Sequence, residues 1–392
     1  MTNGPNGSGM SYFDYNATAP IRPEAAAAVI EAMRSVGNAS SMHQPGRQAA
    51  HRVDVARRQL ADLLNCSPGE IIFTSGATEA NNLALRAAYT AGNPLVTSPV
   101  EHPAVLEAAR AVTADQSADL VLLPVGYDGL VDLDALDHAF AARRGGLVSL
   151  MAANNETGVL TDLRVATKAA HEAGALVHTD ATQMVGRLPI DVAELDIDLL
   201  SLSAHKFGGP QGVGALYVRR GSPLPHRPLL VGGGQERGWR AGTLNVAGII
   251  GMGAAAEAAA RSLGEEAGRV TALRDRLEHL ITGTLPNCRI NGRRDQRLPG
   301  VTNITFPGVP ADAVLAAMPD VAASEGSACA SGAPTPSHVL LAMGLSRADA
   351  DSTIRFSLGY ATTDAEIEHA AQAVKRAMTQ VRAALAKADG PR

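Results

Sequence analysis

The chain has 392 residues with a formal net charge of −5 at pH 7. That length allows two domains or one large one, and the acidic balance argues against a dedicated nucleic-acid binder. At 46% hydrophobic but only 3% aromatic residues, the core has to be built from Ala, Val and Leu rather than from rings. The cysteines are Cys66, Cys288 and Cys329. Their spacing matches no structural zinc motif. An odd number cannot all pair within one chain, which fits a reducing compartment and predicts a cytoplasmic protein. No apolar run approaches the length of a membrane span.

Residues 1–10 are rich in Gly, Asn and Ser, without a basic start or an apolar stretch. They read as a disordered leader rather than a signal peptide. Phe13–Pro20 is a short extended arm. Pro23–Val36 reads as an Ala-rich helix and Gly37–His43 as a polar loop. Gln48–Leu64 is helical, with Val53, Ala56, Leu60, Leu63 and Leu64 near a 3.6-residue period.

Glu70–Ser75 is a strand that runs through Gly76, Ala77 and Thr78 into a helix over 79–89. Such a turn is a ready anion site, because free N–H groups and the helix dipole face one point. Taken alone it is weak, since many strand–helix loops look alike. Pro94–Ser98 is a strand followed by His102, whose ring could stack on a planar ligand or move protons. A solvated loop His is the plainer reading. Gly146–Ala153 is a buried strand ending at Asn154 and Asn155, whose amides can bond a phenolate or carboxylate without adding charge. Residues 162–173 form an amphipathic helix.

Ala175–Gln183 begins as a strand with Asp180 at its carboxyl end. An acid there suits the ring nitrogen of a pyridine cofactor, or simply caps a helix. Asp198–Leu202 is an apolar strand ending in His205 and Lys206 before a glycine-rich turn. A partly desolvated Lys can be an amine nucleophile that forms a Schiff base with a carbonyl. A solvated Lys at a loop edge is the alternative. Strand and helix alternate from about 70 to 206, which implies right-handed crossovers and a mostly parallel sheet. Ligands of such sheets bind beyond the carboxyl ends of the strands. Thr78, His102, Asn155, Asp180 and Lys206 would therefore meet at one place.

Gly232–Thr243 is too glycine-rich for a packed element and too charged for a linker. Beyond about 250 the composition shifts to two Ala-rich helices, near 247–263 and 266–284, then strands near 301–306 and 321–324. Cys329 stands among Gly, Ser and Ala, a setting for an exposed loop thiol rather than a buried small hydrophobe. Arg355 falls on a short strand, and its fork suits a carboxylate; a surface ion pair is the other reading.

His178-Thr-Asp-Ala-Thr-Gln183 and Ser203-Ala-His-Lys206 resemble the paired signatures of the fold-type I, class V aminotransferases. More narrowly, they resemble NifS/IscS-type cysteine desulfurases, over about Tyr12 to Thr363. The resemblance implies an α/β fold: a large domain with a mostly parallel seven-stranded sheet, plus a smaller α+β C-terminal domain. The expected spans are 1–15 for the leader and an arm packed on the small domain, 16–250 for the cofactor domain, and 251–392 for the small domain with the nucleophile loop.

The resemblance also implies pyridoxal phosphate as cofactor, held by Lys206. Its other binding residues would be Gly76, Ala77, Thr78, His102, Asn155, Asp180, Gln183, Ser203 and His205. Thr243 would reach the phosphate of a neighbouring subunit, making a homodimer with shared active sites. Asn155 and Arg355 would bind the carboxylate of L-cysteine. Lys206 and His102 would move protons, and Cys329 would take the sulfur as a persulfide and pass it to an acceptor protein. L-alanine would be the other product. Iron–sulfur assembly, tRNA thiolation, cofactor synthesis and phosphorothioation of DNA all remain open as destinations. Two rivals stand: a lyase or aminotransferase of the same fold with Cys329 incidental, and a non-catalytic scaffold. No metal, no membrane and no direct nucleic-acid contact is expected. Glu325 departs from the Ser or Thr expected there, and a nearby carboxylate would raise the thiol pKa and slow sulfur transfer.

Overall fold

The computed structural model describes residues 10–114, 120–325 and 335–388. After a short arm strand, β1 (Ser11–Tyr12), seven strands build the central sheet. They are β2 (Ile71–Thr74), β3 (Leu95–Thr97), β4 (Leu120–Leu122), β5 (Gly146–Ser149), β6 (Ala175–Asp180), β7 (Leu199–Ser203) and β8 (Gly214–Val218). Their order across the sheet is β2-β8-β7-β6-β5-β3-β4. Every neighbouring pair is parallel except the two that involve β8. The mostly parallel sheet anticipated from the alternation of strands and helices is thus present, with the seven strands that the family resemblance implied.

The helices before the second sheet are α1 (Pro23–Met33), α2 (Gln44–Leu64), α3 (Ala77–Ala88), α4 (Pro103–Ala114), α5 (Ala135–Ala139), α6 (Leu163–Glu172) and α7 (Val246–Thr284). Both faces of the sheet are covered, so its strands are apolar on both sides. On one face Leu200 and Leu202 of β7 meet Val53, Leu60 and Leu64 of α2 and Met252 of α7. On the other, Leu199 and Leu216 meet Leu85 of α3 and Val105 of α4. Helix α2 starts before its apolar period does, because the His43 side chain accepts from the Gly46 N–H at 3.2 Å and Pro45 suits the first turn.

A second sheet is antiparallel, in the order β12-β13-β10-β9, with β9 (Arg289–Ile290), β10 (Val301–Thr305), β12 (Ser324–Glu325) and β13 (Thr353–Ser357). β11 (Val321–Ala322) pairs with β1 instead, in parallel. The C-terminal helix Asp364–Ala388 covers this sheet, with Ile367, Val374 and Met378 against Ile304, Phe356 and Phe13. The arm therefore lies on the second core before it runs on to the central sheet.

One expectation is corrected. The two helices near 247–263 and 266–284 are one continuous helix of 39 residues, α7. A glycine inside a helix costs about 1 kcal/mol relative to Ala, and Gly264 sits there without breaking it. Just beyond Gly264, Glu266 receives the Arg22 fork at 2.8 and 2.9 Å and the Ser262 hydroxyl at 2.6 Å. The helix spans both cores, with Met252 in the first and Val270, Leu277 and Ile281 in the second. Among the described residues no helix is long and apolar enough to cross a membrane.

Candidate active site

A cleft of about 400 Å³ opens at the carboxyl ends of the parallel strands. Gly76, Ala77, Thr78, His102, Asn155, Asp180, Gln183, Ser203, His205 and Lys206 all line it. They come from the ends of five strands, β2, β3, β5, β6 and β7, and the segments just after them, so the sheet assembles the group.

The floor is electrostatic. Asp180 closes β6 and is 6% exposed. One of its oxygens accepts from Asn81 Nδ2 at 2.7 Å and the other from the Thr182 N–H at 3.0 Å. A turn follows rather than a helix, so the carboxylate is no helix cap. Behind it, His178 is wholly buried between the Ser149 and Ser201 hydroxyls at 2.8 and 2.9 Å. Burial pushes its imidazole down to about 4, against the pull of Asp180.

The His102 ring forms one wall. Its Nδ1 accepts from the Ala104 N–H at 3.1 Å. Since a backbone N–H can only donate, that nitrogen is unprotonated and the ring proton sits on Nε2. Burial, reinforced by Lys206 and His338, keeps the ring below its usual pKa despite Asp180. His205 is pushed down to about 4, by burial first and then by Lys206 and Arg187.

Lys206 ends the single turn Ala204–Lys206 that follows β7. Its Nζ donates to the carbonyls of Asn16 and Ala17, the latter at 2.9 Å. Gly214 on β8 lets the chain close up beneath it: a Cβ there would lie 2.5 Å from the Leu202 carbonyl and 2.7 Å from Gly76 Cα.

The start of α3 has no side-chain cap, and it points into the cleft beside the exposed Thr78 hydroxyl. Buried polar atoms of four lining residues, Asn81 Oδ1, Asn155 Oδ1, Thr182 Oγ1 and Gln183 Oε1, have no protein partner. Uncapped N–H groups for an anion, a carboxylate for a ring nitrogen, a planar His and a primary amine form a donor set that fits a flat, phosphate-bearing aldehyde.

Two anticipated residues lie elsewhere. Arg355 is 3% exposed and does not line the cleft. It donates to the Asn155 carbonyl at 2.9 Å and pairs with Asp14 at 2.7 Å, so any carboxylate ligand would have to compete with Asp14. Thr243 is exposed and away from this chain's own cleft. The Gly232–Thr243 segment is nevertheless tied to the cleft, through Arg240 on Glu79 at 2.8 Å. Cys329 lies outside the described residues. Cys66 is pushed up to about 12 and Cys288 is also raised, in both cases by burial first.

The sequence reading missed Asn81, Asn16 and Arg187. Asn81 had a signal, a polar residue at a fully buried position among Ala80, Leu83 and Ala84. Asn16 and Arg187 had none, because their partners are far away in the chain.

The aminotransferase class-V family matches residues 11–369. A cysteine desulfurase of Trichormus azollae is 42% identical over 95% of this chain and 94% of that protein. Among solved structures, a NifS-like protein superposes with a TM-score of 0.87 at 33% identity, covering 94% of this chain and 99% of its own. SspA in complex with cysteine superposes with a TM-score of 0.77 at 34% identity, covering 89% and 99%. Site geometry, family match and relatives agree: the chain belongs to the class-V aminotransferase family, among its NifS-like cysteine desulfurases.

Proposed function

We propose that the protein removes sulfur from L-cysteine with pyridoxal phosphate, giving L-alanine and a persulfide on Cys329. The observation that carries this is the convergence of Lys206, Asp180, His102 and the uncapped start of α3 on one cleft. In this reading α3, Thr78 and Ser203 would hold the phosphate, and Asp180 would keep the ring nitrogen protonated. His102 would pack against the ring, and Lys206 would hold the cofactor through its amine. When bound, the cofactor supplies an electron sink for the substrate's α-carbon.

The chain's own groups do the rest. Lys206 would take and return protons at the substrate's α-carbon. Neutral His102, with its proton on Nε2, is a donor beside it. Arg355 and Asn155 orient the substrate carboxylate. The Cys329 thiolate attacks the cysteine sulfur. The carbon–sulfur bond breaks with its electron pair left on carbon, where a proton completes alanine. The described residues on either side of Cys329 stand near Arg355 and Asn155, which supports its role. Before it, Ser324 stands opposite Arg355 in the β12–β13 pair. After it, the Ser337 hydroxyl bonds Glu156, next to Asn155.

The working form in this reading is a homodimer that lends Thr243 across its interface, in the cytoplasm, with an acceptor protein receiving the sulfur. Met33, Val36, Met42 and Val231 are exposed apolar side chains of the kind such an interface would cover. A particle of one chain's mass in light scattering contradicts the dimer. Alanine release from L-cysteine tests the activity: Cys329→Ser and Lys206→Ala should each abolish it. Full alanine release by Cys329→Ser would instead favour a lyase or aminotransferase.

A further inference from the structure

Asn16 spends every polar atom on the site. It is 2% exposed. Its N–H donates to Ser357 Oγ at 2.9 Å, and its Nδ2 donates to the Asn155 carbonyl at 2.9 Å. Its Oδ1 accepts from Arg187. Its carbonyl accepts from Gln183 Nε2 at 3.0 Å and from Lys206 Nζ. Arg187 in turn donates to the Tyr15 carbonyl at 2.9 Å and to the Lys206 carbonyl at 3.1 Å. The arm thus grips Lys206 twice, at its main chain through Arg187 and at its amine through Asn16 and Ala17.

An ammonium has three donors and no acceptor, whereas carbonyl oxygens accept only. Two carbonyls aimed at Nζ therefore favour the protonated amine and fix where it sits. A carbonyl's direction depends on how its peptide is held. Here the Asn16 side chain pins that peptide between the Asn155 loop and the Arg187 guanidinium. The Asn155 carbonyl also receives Arg355, so one amide keeps the amine and the guanidinium in register.

We infer that Asn16, braced by Arg187, is a positioning residue that docks the Lys206 ammonium on the arm carbonyls whenever that amine is not bonded to the cofactor. This rests on the reading of Lys206 as the proton carrier. It adds a built seat for the released amine, supplied by the arm.

The test uses the full-length, cofactor-free chain. Reductive methylation with formaldehyde across a pH series is followed by peptide mass spectrometry at Lys206 and at Lys168, whose side chain is 77% exposed. In Asn16→Ala, methylation of Lys206 at neutral pH should rise about five- to tenfold, the size of one lost hydrogen bond, while Lys168 is unchanged. Asn16→Asp keeps an acceptor for Arg187 but loses the donor to the Asn155 carbonyl, and should show a smaller rise than Asn16→Ala. If Asn16→Ala does not fold, Arg187→Lys keeps the charge, loses the fork, and should show the same selective rise. A flat Lys206 profile, or equal rises at both lysines, overturns the inference. Selective labelling in a chain whose parent makes no alanine would sink the desulfurase reading and leave the seat standing.

Discussion

Asn81 Nδ2 donates to Asp180 Oδ2 at 2.7 Å, and both side chains are buried. Helix α3 thereby does two things at once. Its N-terminus faces the cleft as an anion site, and a residue in its second turn holds the Asp180 carboxylate that lines it. Replacing Asn81 with Leu leaves that oxygen without its donor, at a cost of about 1–3 kcal/mol. The expected result is a lower thermal midpoint together with weaker binding of pyridoxal phosphate. Unchanged values of both would show that the bond is dispensable.

His178 makes stability depend on acid. Its folded pKa of about 4 lies below the ordinary 6.5. Above 6.5 the ring is neutral in both the folded and unfolded states and carries no penalty. Between 6.5 and about 4 only the unfolded chain binds the proton, so stability falls as pH falls. The full span is about 3 kcal/mol for a shift of this size. His178→Gln should be less stable at neutral pH but should lose less on acidification. Urea midpoints on both sides of the window decide it, and parallel curves for parent and variant would refute the assignment.

Glu156 acts with the opposite sign. Burial raises it from 4.5 to about 7, against the Ser337 hydroxyl and Arg355. The folded chain therefore keeps this proton where the unfolded chain has lost it. Its contribution is complete below 4.5 and disappears as pH rises through 7, again over about 3 kcal/mol. Glu156→Gln keeps an acceptor for Ser337 and removes the titration. The variant should match the parent at low pH and exceed its stability above pH 7. A variant that gains nothing on the alkaline side contradicts this.

Gly214 has no room for a methyl group, given the Leu202 carbonyl and Gly76 Cα on either side. Gly214→Ala must part β8 from β7 or displace the Gly76 turn. Overpacking of this kind costs about 1–3 kcal/mol. Cofactor affinity should fall along with stability, because Gly76 opens the anion site. Retained affinity in a destabilised variant would place the strain in β8 alone.

The order of strands and helices was legible in the chain because β6 and β7 are short apolar runs ended by chemistry-bearing residues. That alternation alone sent Thr78, His102, Asn155, Asp180 and Lys206 to one edge, and all of them line one cleft. The single helix α7 was hidden, because Arg22, whose fork bonds it just past Gly264, is remote in sequence. Asp14's hold on Arg355 and the seat formed by Asn16 and Arg187 were hidden for the same reason. Local pattern determines which segments become strands and which residues stand at their ends, since side-chain period and turn chemistry act over a few residues. Which amine meets which carbonyl is decided only when the arm, fixed by β1 to the second core, is carried across to the end of β7.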